Sequence, residues 1–315
     1  MQGRIAASDM IGFLRGIIQA KRKASPAETV ESIQTGSREL WEGGIGFSAD
    51  WLSGVPEDGD GLFGESPVLR FREWIGLGRG AEAWTETSAE LPAGVCWAPH
   101  APYTVPAEAW RALGSQPGLQ SAHVGESPAE DRLFREGEGP LAEMILRFGG
   151  PLPECPAGPF VWLDELGWFD GGPRQVVHAC LAADSDLEIL ARRGASVAHC
   201  PRSNRALGCP PAPVRRMLEA GIPVLLGLDS AASSGPACMF REMEAALAEA
   251  QRLEEPLSLE EVWSLAVAGG GNPLAPEHKA GWIAIDMTGL EGPEELPAYG
   301  SAGRIRWIVP PDSKI

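Results

Sequence analysis

Four histidines, one aspartate and one glutamate hold most of the chemistry available to this chain of 315 residues. His100, His123, His178 and His199 stand in or just beyond short apolar runs, and Asp229 closes a fifth run, Val224-Leu225-Leu226-Gly227-Leu228. Glu126 follows His123 by three residues, just ahead of Ser127-Pro128-Ala129-Glu130. Imidazole nitrogens and carboxylate oxygens are donors that a divalent cation accepts, and the same groups exchange protons near neutral pH. A single histidine at a strand end is equally well explained by a buried hydrogen bond. Four of them, with an aspartate at the last run, follow the pattern of an α/β barrel that reacts at the C-terminal ends of its strands. A carboxylate at Asp229 would be costly to bury unless a cation or hydrogen-bond donors compensate. Its structural alternative is to cap a helix after Ser230.

The elements that would position these groups are readable. Strands are expected at 45–51, 68–75, 95–100, 119–123, 175–180, 196–200 and 222–228, with helical stretches between them. Ser25-Pro26-Ala27-Glu28 and Ser127-Pro128-Ala129-Glu130 each offer an N-cap serine, a first-turn proline and a glutamate to close a capping box. Ser258-Leu259-Glu260-Glu261 repeats the box, and Gly194 and Gly221 stop helices just before strands. Strict strand–helix alternation implies a parallel sheet. A closed barrel needs eight strands, so one is missing. An open doubly wound sheet is the alternative, but it would gather its chemistry at one switch point rather than along successive strand ends. Two further strands, at 281–285 and 304–309, have no helix between them and suggest a remnant of a small β-domain.

Composition narrows the function classes. A formal net charge of −17 repels phosphate backbones and argues against a nucleic-acid polymer as partner. It does not argue against a small nucleoside-like substrate. No apolar run is long enough to span a membrane, and Met1-Gln2-Gly3-Arg4-Ile5 has no secretion signal. The six cysteines form no C-x-x-C pair and read as reduced thiols of a cytoplasmic protein. Phosphate-cradling and serine-nucleophile motifs are absent. His278 lies outside the array and is expected on the surface, while Trp162, Trp168 and Trp263 are expected in the core or an interface.

Five segments together carry a family resemblance. They are 98–105 (with Pro99-His100-Ala101-Pro102), His123-Val124-Gly125-Glu126-Ser127, Val177-His178-Ala179-Cys180, His199-Cys200-Pro201-Arg202-Ser203-Asn204 and Gly227-Leu228-Asp229-Ser230. In order and spacing they resemble the amidohydrolase superfamily, in its cytosine deaminase and chlorohydrolase-like branch, near the aminofutalosine deaminase-like group. The resemblance implies a TIM (β/α)8-type barrel over 1–279, lacking its first strand, with a β-sandwich remnant over 280–315. It implies one divalent metal, zinc or alternatively iron. His123 and Asp229 would be ligands, and His178 would belong to the metal set beside the bound water. Glu126, His178 and Asp229 would be catalytic; His100, His199 and Asn204 would bind substrate or shape its pocket. The implied reaction is metal-dependent hydrolysis of a non-peptide C–N bond, foremost deamination of an aminopurine-nucleoside-like molecule. Hydrolysis of another leaving group such as chloride, or a metal-free homologue that binds a small ligand, are the alternatives. The partner is a small molecule, and a homodimer is compatible with the sequence.

One departure stands out. The family opens with a His-x-His pair on the first barrel strand, and this chain contains no His-x-His. The missing strand and the missing ligands therefore coincide. A catalytic zinc usually takes three protein ligands, which leaves two expectations open. One is a truncated form of a complete enzyme, with a His-x-His encoded within about 20 codons upstream on strand-length grounds. The other is a genuine short form. The retention of Glu126, His178 and Asp229 favours the first.

Overall fold

Seven of the apolar runs form one parallel sheet in the computed structural model, which describes residues 9–53, 62–63, 68–77, 91–153 and 155–267, together with the backbone of 282–286 and 304–309. The chain enters through α1 (Met10–Lys23) and α2 (Pro26–Glu42), then reaches β1 (Ser48–Leu52), β2 (Val68–Trp74) and β3 (Val95–Pro99). Beyond these, α3 (Ala107–Gly114) leads to β4 (Gln120–Val124), followed by α4 (Pro128–Glu136), α5 (Pro140–Arg147) and α6 (Pro159–Glu165). Next come β5 (Arg174–His178), α7 (Asp184–Arg193), β6 (Ser196–His199), α8 (Pro201–Ala206), α9 (Val214–Glu219) and β7 (Val224–Leu226). Helices α10 (Met239–Arg252) and α11 (Leu259–Ala266) follow, and β8 (Trp282–Asp286) pairs antiparallel with β9 (Arg304–Val309).

The seven-stranded sheet runs in chain order from β1 to β7, every pairing parallel. It curls into an incomplete barrel, and among the described residues β1 and β7 are each paired on one side only. The expected strands are thus found, and among the described residues the parallel sheet has seven strands. The expected boundary at 280, and His278, lie outside the described residues. Among the described residues no helix is long and apolar enough to cross a membrane.

The core fills the space between the outer face of the sheet and the helices. Trp110 and Trp168 meet edge to face with centroids 5.2 Å apart, and Phe160, Leu133, Leu163 and Leu190 are fully buried around them. Each such side chain contributes about 1.5–3 kcal/mol relative to exposure. Trp168 is core, as expected, and Trp263 packs its ring on Phe240. Buried polar side chains around the N-terminal ends of β4 and β5 pair with one another and with backbone. Gln120 Nε2 donates to the Leu113 carbonyl, Trp168 Nε1 donates to Gln120 Oε1, and Arg174 Nε donates to the Trp168 carbonyl.

Close backbone approach explains one glycine in this region. A Cβ on Gly114 would lie 2.2 Å from the Gly167 carbonyl oxygen, and backbone cannot give way as a side chain would. Gly114→Ala should therefore destabilise the protein by about 1–3 kcal/mol or more through overpacking. Urea denaturation would show it, and an unchanged midpoint would contradict this packing.

Serine caps start the helices as the sequence suggests. Ser25 and Ser258 form complete capping boxes with Glu28 and Glu261. Ser127 caps α4, but its expected box is not closed. The carboxylate of Glu130 accepts the amide of Glu126 instead, at 3.0 Å, and so braces the residue that follows β4.

Candidate active site

Three side chains converge beyond β4 and β5. His123 Nδ1 lies 3.1 Å from His178 Nε2, the two rings stack with centroids 5.0 Å apart, and Glu126 Oε1 lies 3.4 Å from the same His178 nitrogen. This is not the contact that sheet register alone would give. His123 is level with Val177, and His178 with Val124. The chain leaves regular strand geometry here: His178 and Ala179 have φ of 76° and 48°. Left-handed backbone at non-glycine residues costs of order 1–3 kcal/mol each and persists where surrounding structure enforces it, often at functional sites. Asp229, with φ of 56°, is a third case at the end of the β7 run.

Hydrogen bonding fixes the state of His178. Its Nδ1 lies 2.7 Å from Asn204 Oδ1, which can only accept, so Nδ1 carries the hydrogen and Nε2 presents a lone pair. Burial keeps the His178 imidazole below its ordinary pKa, although the Asp229 charge and the Asn204 bond oppose it. His123 is held well below by burial and by the adjacent His178 and His100. Both rings are therefore neutral, the form that binds metals. Glu126 is pushed well above the usual carboxylate range by burial and by the Asp229 charge. Both influences favour its protonated form.

His100 stands at the end of β3, its ring 5.3 Å from that of His123. Thr104 Oγ1 donates to the Ala101 carbonyl, so the 2.9 Å contact with His100 Nδ1 is a bond from the imidazole to the hydroxyl. Burial, the largest influence, lowers the His100 pKa. Glu73, on β2, opposes this; burial acts to raise its own pKa, but the neighbouring His100 and Lys21, whose Nζ on α1 is 3.3 Å away, bring it below the ordinary value. Trp51 of β1 packs its ring 4.2 Å from His123. Trp51, Glu73 and Lys21 escape a sequence reading because none belongs to a chemical motif, and Thr104 lies in the 98–105 segment without a role assigned to it.

Two expected residues are placed differently. Asp229 is exposed rather than buried, so the expected desolvation cost does not arise. Its Oδ2 accepts bonds from Ser203 Oγ and, at 3.0 Å, from Ser233 Oγ. Gly227 lets the end of β7 approach β6, since a Cβ there would lie 2.8 Å from Cys200 Sγ. His199, at the end of β6, is buried next to α10. Its Nε2 lies 3.7 Å from Glu249 Oε2 on α10, and burial lowers its pKa to about 3. Asn204 is fully buried and touches the site through His178.

The donors fit a divalent cation in kind and spacing. Two imidazole nitrogens on one tetrahedral zinc, each at 2.0–2.1 Å, lie about 3.3 Å apart, against the 3.1 Å between His123 and His178. They do not yet fit in number. Among the described residues no group of three or more His, Cys, Asp or Glu side chains closes around a common point.

A curled parallel sheet with imidazoles and carboxylates at its C-terminal strand ends defines an α/β barrel scaffold with its working face at that end. Residues 157–284 match the amidohydrolase family. A 5-methylthioadenosine/S-adenosylhomocysteine deaminase from Pelotomaculum thermopropionicum is 31% identical over 241 residues, covering 69% of this chain and 52% of that protein. A 5'-deoxyadenosine deaminase from Methanothermobacter thermautotrophicus is 34% identical over 198 residues, 60% of this chain and 42% of the relative. The chain thus spans about half the length of the relatives it matches. Among solved structures, a zinc-bound adenosine deaminase from Xanthomonas campestris superposes with a TM-score of 0.68 at 19% identity, over 94% of this chain and 72% of that one. The zinc complex of an atrazine chlorohydrolase mutant from Arthrobacter aurescens gives 0.65 at 17%, over 87% and 67%. The chain belongs to the amidohydrolase superfamily.

Proposed function

We propose that this chain carries the working face of a metal-dependent deaminase for an adenosine-like nucleoside. The observation that supports this most directly is the convergence of His123, His178 and Glu126 within hydrogen-bond range at strand ends. The names of the curated relatives point to the same substrate class. His123 Nδ1, His178 Nε2 and the Asp229 carboxylate would hold one divalent cation, zinc by preference. Bound there, such a cation acidifies a water to a pKa of about 7.

The chain's own residues then divide the proton work. Glu126, kept neutral by burial, gives its proton to the ring nitrogen beside the amino-bearing carbon. Asp229 takes a proton from the attacking water. The water oxygen bonds to that carbon, the adduct's hydroxyl proton passes through Glu126 to the amino group, the C–N bond breaks to release ammonia, and proton exchange with solvent restores Glu126 and Asp229. His178, its Nδ1 hydrogen committed to Asn204, would keep its Nε2 lone pair for the cation. His100 faces the incoming base. His199 supports the wall of the pocket from behind.

Ammonia release from 5'-methylthioadenosine and 5'-deoxyadenosine, with and without added zinc, tests the reading. Zinc-dependent release accompanied by the inosine-type product is expected, and removal of the metal by a chelator should abolish it. Chloride release from a chlorotriazine without ammonia release would transfer the site to the other leaving group. Tight nucleoside binding with neither product would make the chain a binding protein.

A further inference from the structure

Glu126 reaches His178 through a sharp turn of the backbone after β4, and three contacts at consecutive residues hold that turn. The Val124 carbonyl accepts the Ala179 amide at 3.1 Å, and the Gly125 carbonyl accepts the Leu181 amide at 2.9 Å. Gly125 itself is left-handed, with φ of 66°, and a Cβ there would lie 2.6 Å from the Phe160 ring on α6. The third contact is made by the next amide, that of Glu126. A buried N–H needs an acceptor, and the one that Glu126 finds is a side chain, Glu130 Oε2 at 3.0 Å.

Glu130 lies buried in the first turn of α4. An ordinary capping box would aim its carboxyl at the amide of the N-cap residue, Ser127. Half of that box is present, since Ser127 Oγ accepts the Glu130 amide at 3.3 Å. The carboxyl is diverted one residue back, past the cap, to Glu126. Its other oxygen, Oε1, has no partner, and a buried polar atom left unpaired costs stability. Capping α4 does not call for this arrangement. Fixing the Gly125–Glu126 peptide does, because that peptide sets the direction in which the Glu126 side chain leaves the backbone. Glu126 Oε1 then lies 3.4 Å from His178 Nε2.

We propose that Glu130 is a positioning residue for Glu126: by accepting the Glu126 amide it fixes the turn after β4 and so aims the Glu126 carboxyl over the strand ends. The inference rests on the reading of Glu126 as the proton donor of a deaminase. It adds a residue that touches neither the substrate nor the reacting atoms. A displacement of about 1 Å in a reacting group can cost about 10²-fold in rate.

The test combines steady-state ammonia release from 5'-deoxyadenosine with added zinc and amide hydrogen exchange at Glu126. The proteins are wild type, Glu130→Gln, Glu130→Asp and Glu130→Ala. Glutamine keeps an acceptor at the same reach, aspartate withdraws it by one methylene, and alanine removes it. In the aspartate and alanine variants kcat is expected to fall by about 10²-fold with KM changed little, and the Glu126 amide to exchange faster. Glu130→Gln should keep wild-type kcat and exchange. If the alanine variant does not fold, the aspartate variant decides. Wild-type kcat in Glu130→Asp overturns the proposal, as does a loss in Glu130→Gln equal to that in Glu130→Asp. A kcat that falls only in proportion to the folded fraction also overturns it, because the role would then be structural. If wild type releases no ammonia, the deaminase reading fails separately and exchange decides this inference. A Glu126 amide as protected in Glu130→Asp as in wild type overturns it, and selective loss of protection there upholds the placement of Glu126 by Glu130.

Discussion

Replacing Glu126 by glutamine is expected to lower ammonia release by about 10²–10⁴-fold, the usual contribution of a positioned general acid, while metal content stays at the wild-type level. Glutamine keeps the shape and can still accept a hydrogen bond, but it has no acidic proton to give. The side chain is buried, 7% exposed, and bulk water cannot replace the donor at that position. The neutral acid persists because burial opposes ionisation and the Asp229 charge adds to it. The rate should accordingly fall as pH rises through the Glu126 pKa, because the reactive form is the protonated one. Glu126→Gln should flatten that limb of the profile along with the rate. A variant that keeps activity within a few-fold would remove Glu126 from the acid role. One that loses its metal would make Glu126 a ligand.

Much of this arrangement was legible in the sequence for a definite reason. Parallel strands buried on both faces read as continuous apolar runs, so 175–180 and 196–200 announced β5 and β6 to within about two residues. The run at 222–228 yielded only the three-residue β7, because Gly227 and the left-handed turn at Asp229 end the ladder early. Motif residues carry their chemistry in their type, so His123, His178, Glu126 and Asn204 could be singled out before any geometry was known. What could not be read was direction. The register places His178 level with Val124, and only the backbone reversal at His178 and Ala179 turns its ring onto His123. Nor could the alternation of inward and outward positions along β6 be assigned, so His199 was grouped with the pocket although it packs against Glu249. Asp229 is exposed, and the serines that hold it come from α8 and from the turn after Asp229, a pairing that no local pattern announces.

Above about 6.5, where the buried histidines with lowered pKa no longer contribute with the opposite sign, stability should fall as pH rises to about 8, and Glu130 should account for a measurable part of the slope. Glu130 is buried with one carboxyl oxygen on the Glu126 amide and the other, Oε1, without a partner. Burial pushes its pKa from 4.5 up to about 8. Between those values the unfolded chain has released this proton and the folded chain has kept it, so each rise in pH favours unfolding. Below 4.5 both states are protonated and the folded protein retains its full stability; above 8 both are ionised and the loss is complete. One such group changes stability by about 1.4 kcal/mol per pH unit within its window, which makes the total on the order of a few kcal/mol. Glu249 and Glu242, each pushed by burial to about 7, steepen the lower part of the same window. The net charge of −17 acts in the same direction through self-repulsion, but salt screens that component and leaves buried groups largely unaffected. Urea denaturation at pH 5.5, 6.5 and 7.5 in moderate salt would separate the two. Glu130→Gln can still accept the Glu126 amide and never ionises, so its slope should be shallower by about one proton while its stability at pH 5.5 stays close to wild type. A variant whose slope matches wild type would mean that Glu130 ionises normally in the folded state, and that the amide of Glu126 is held by a charge rather than by a neutral acid.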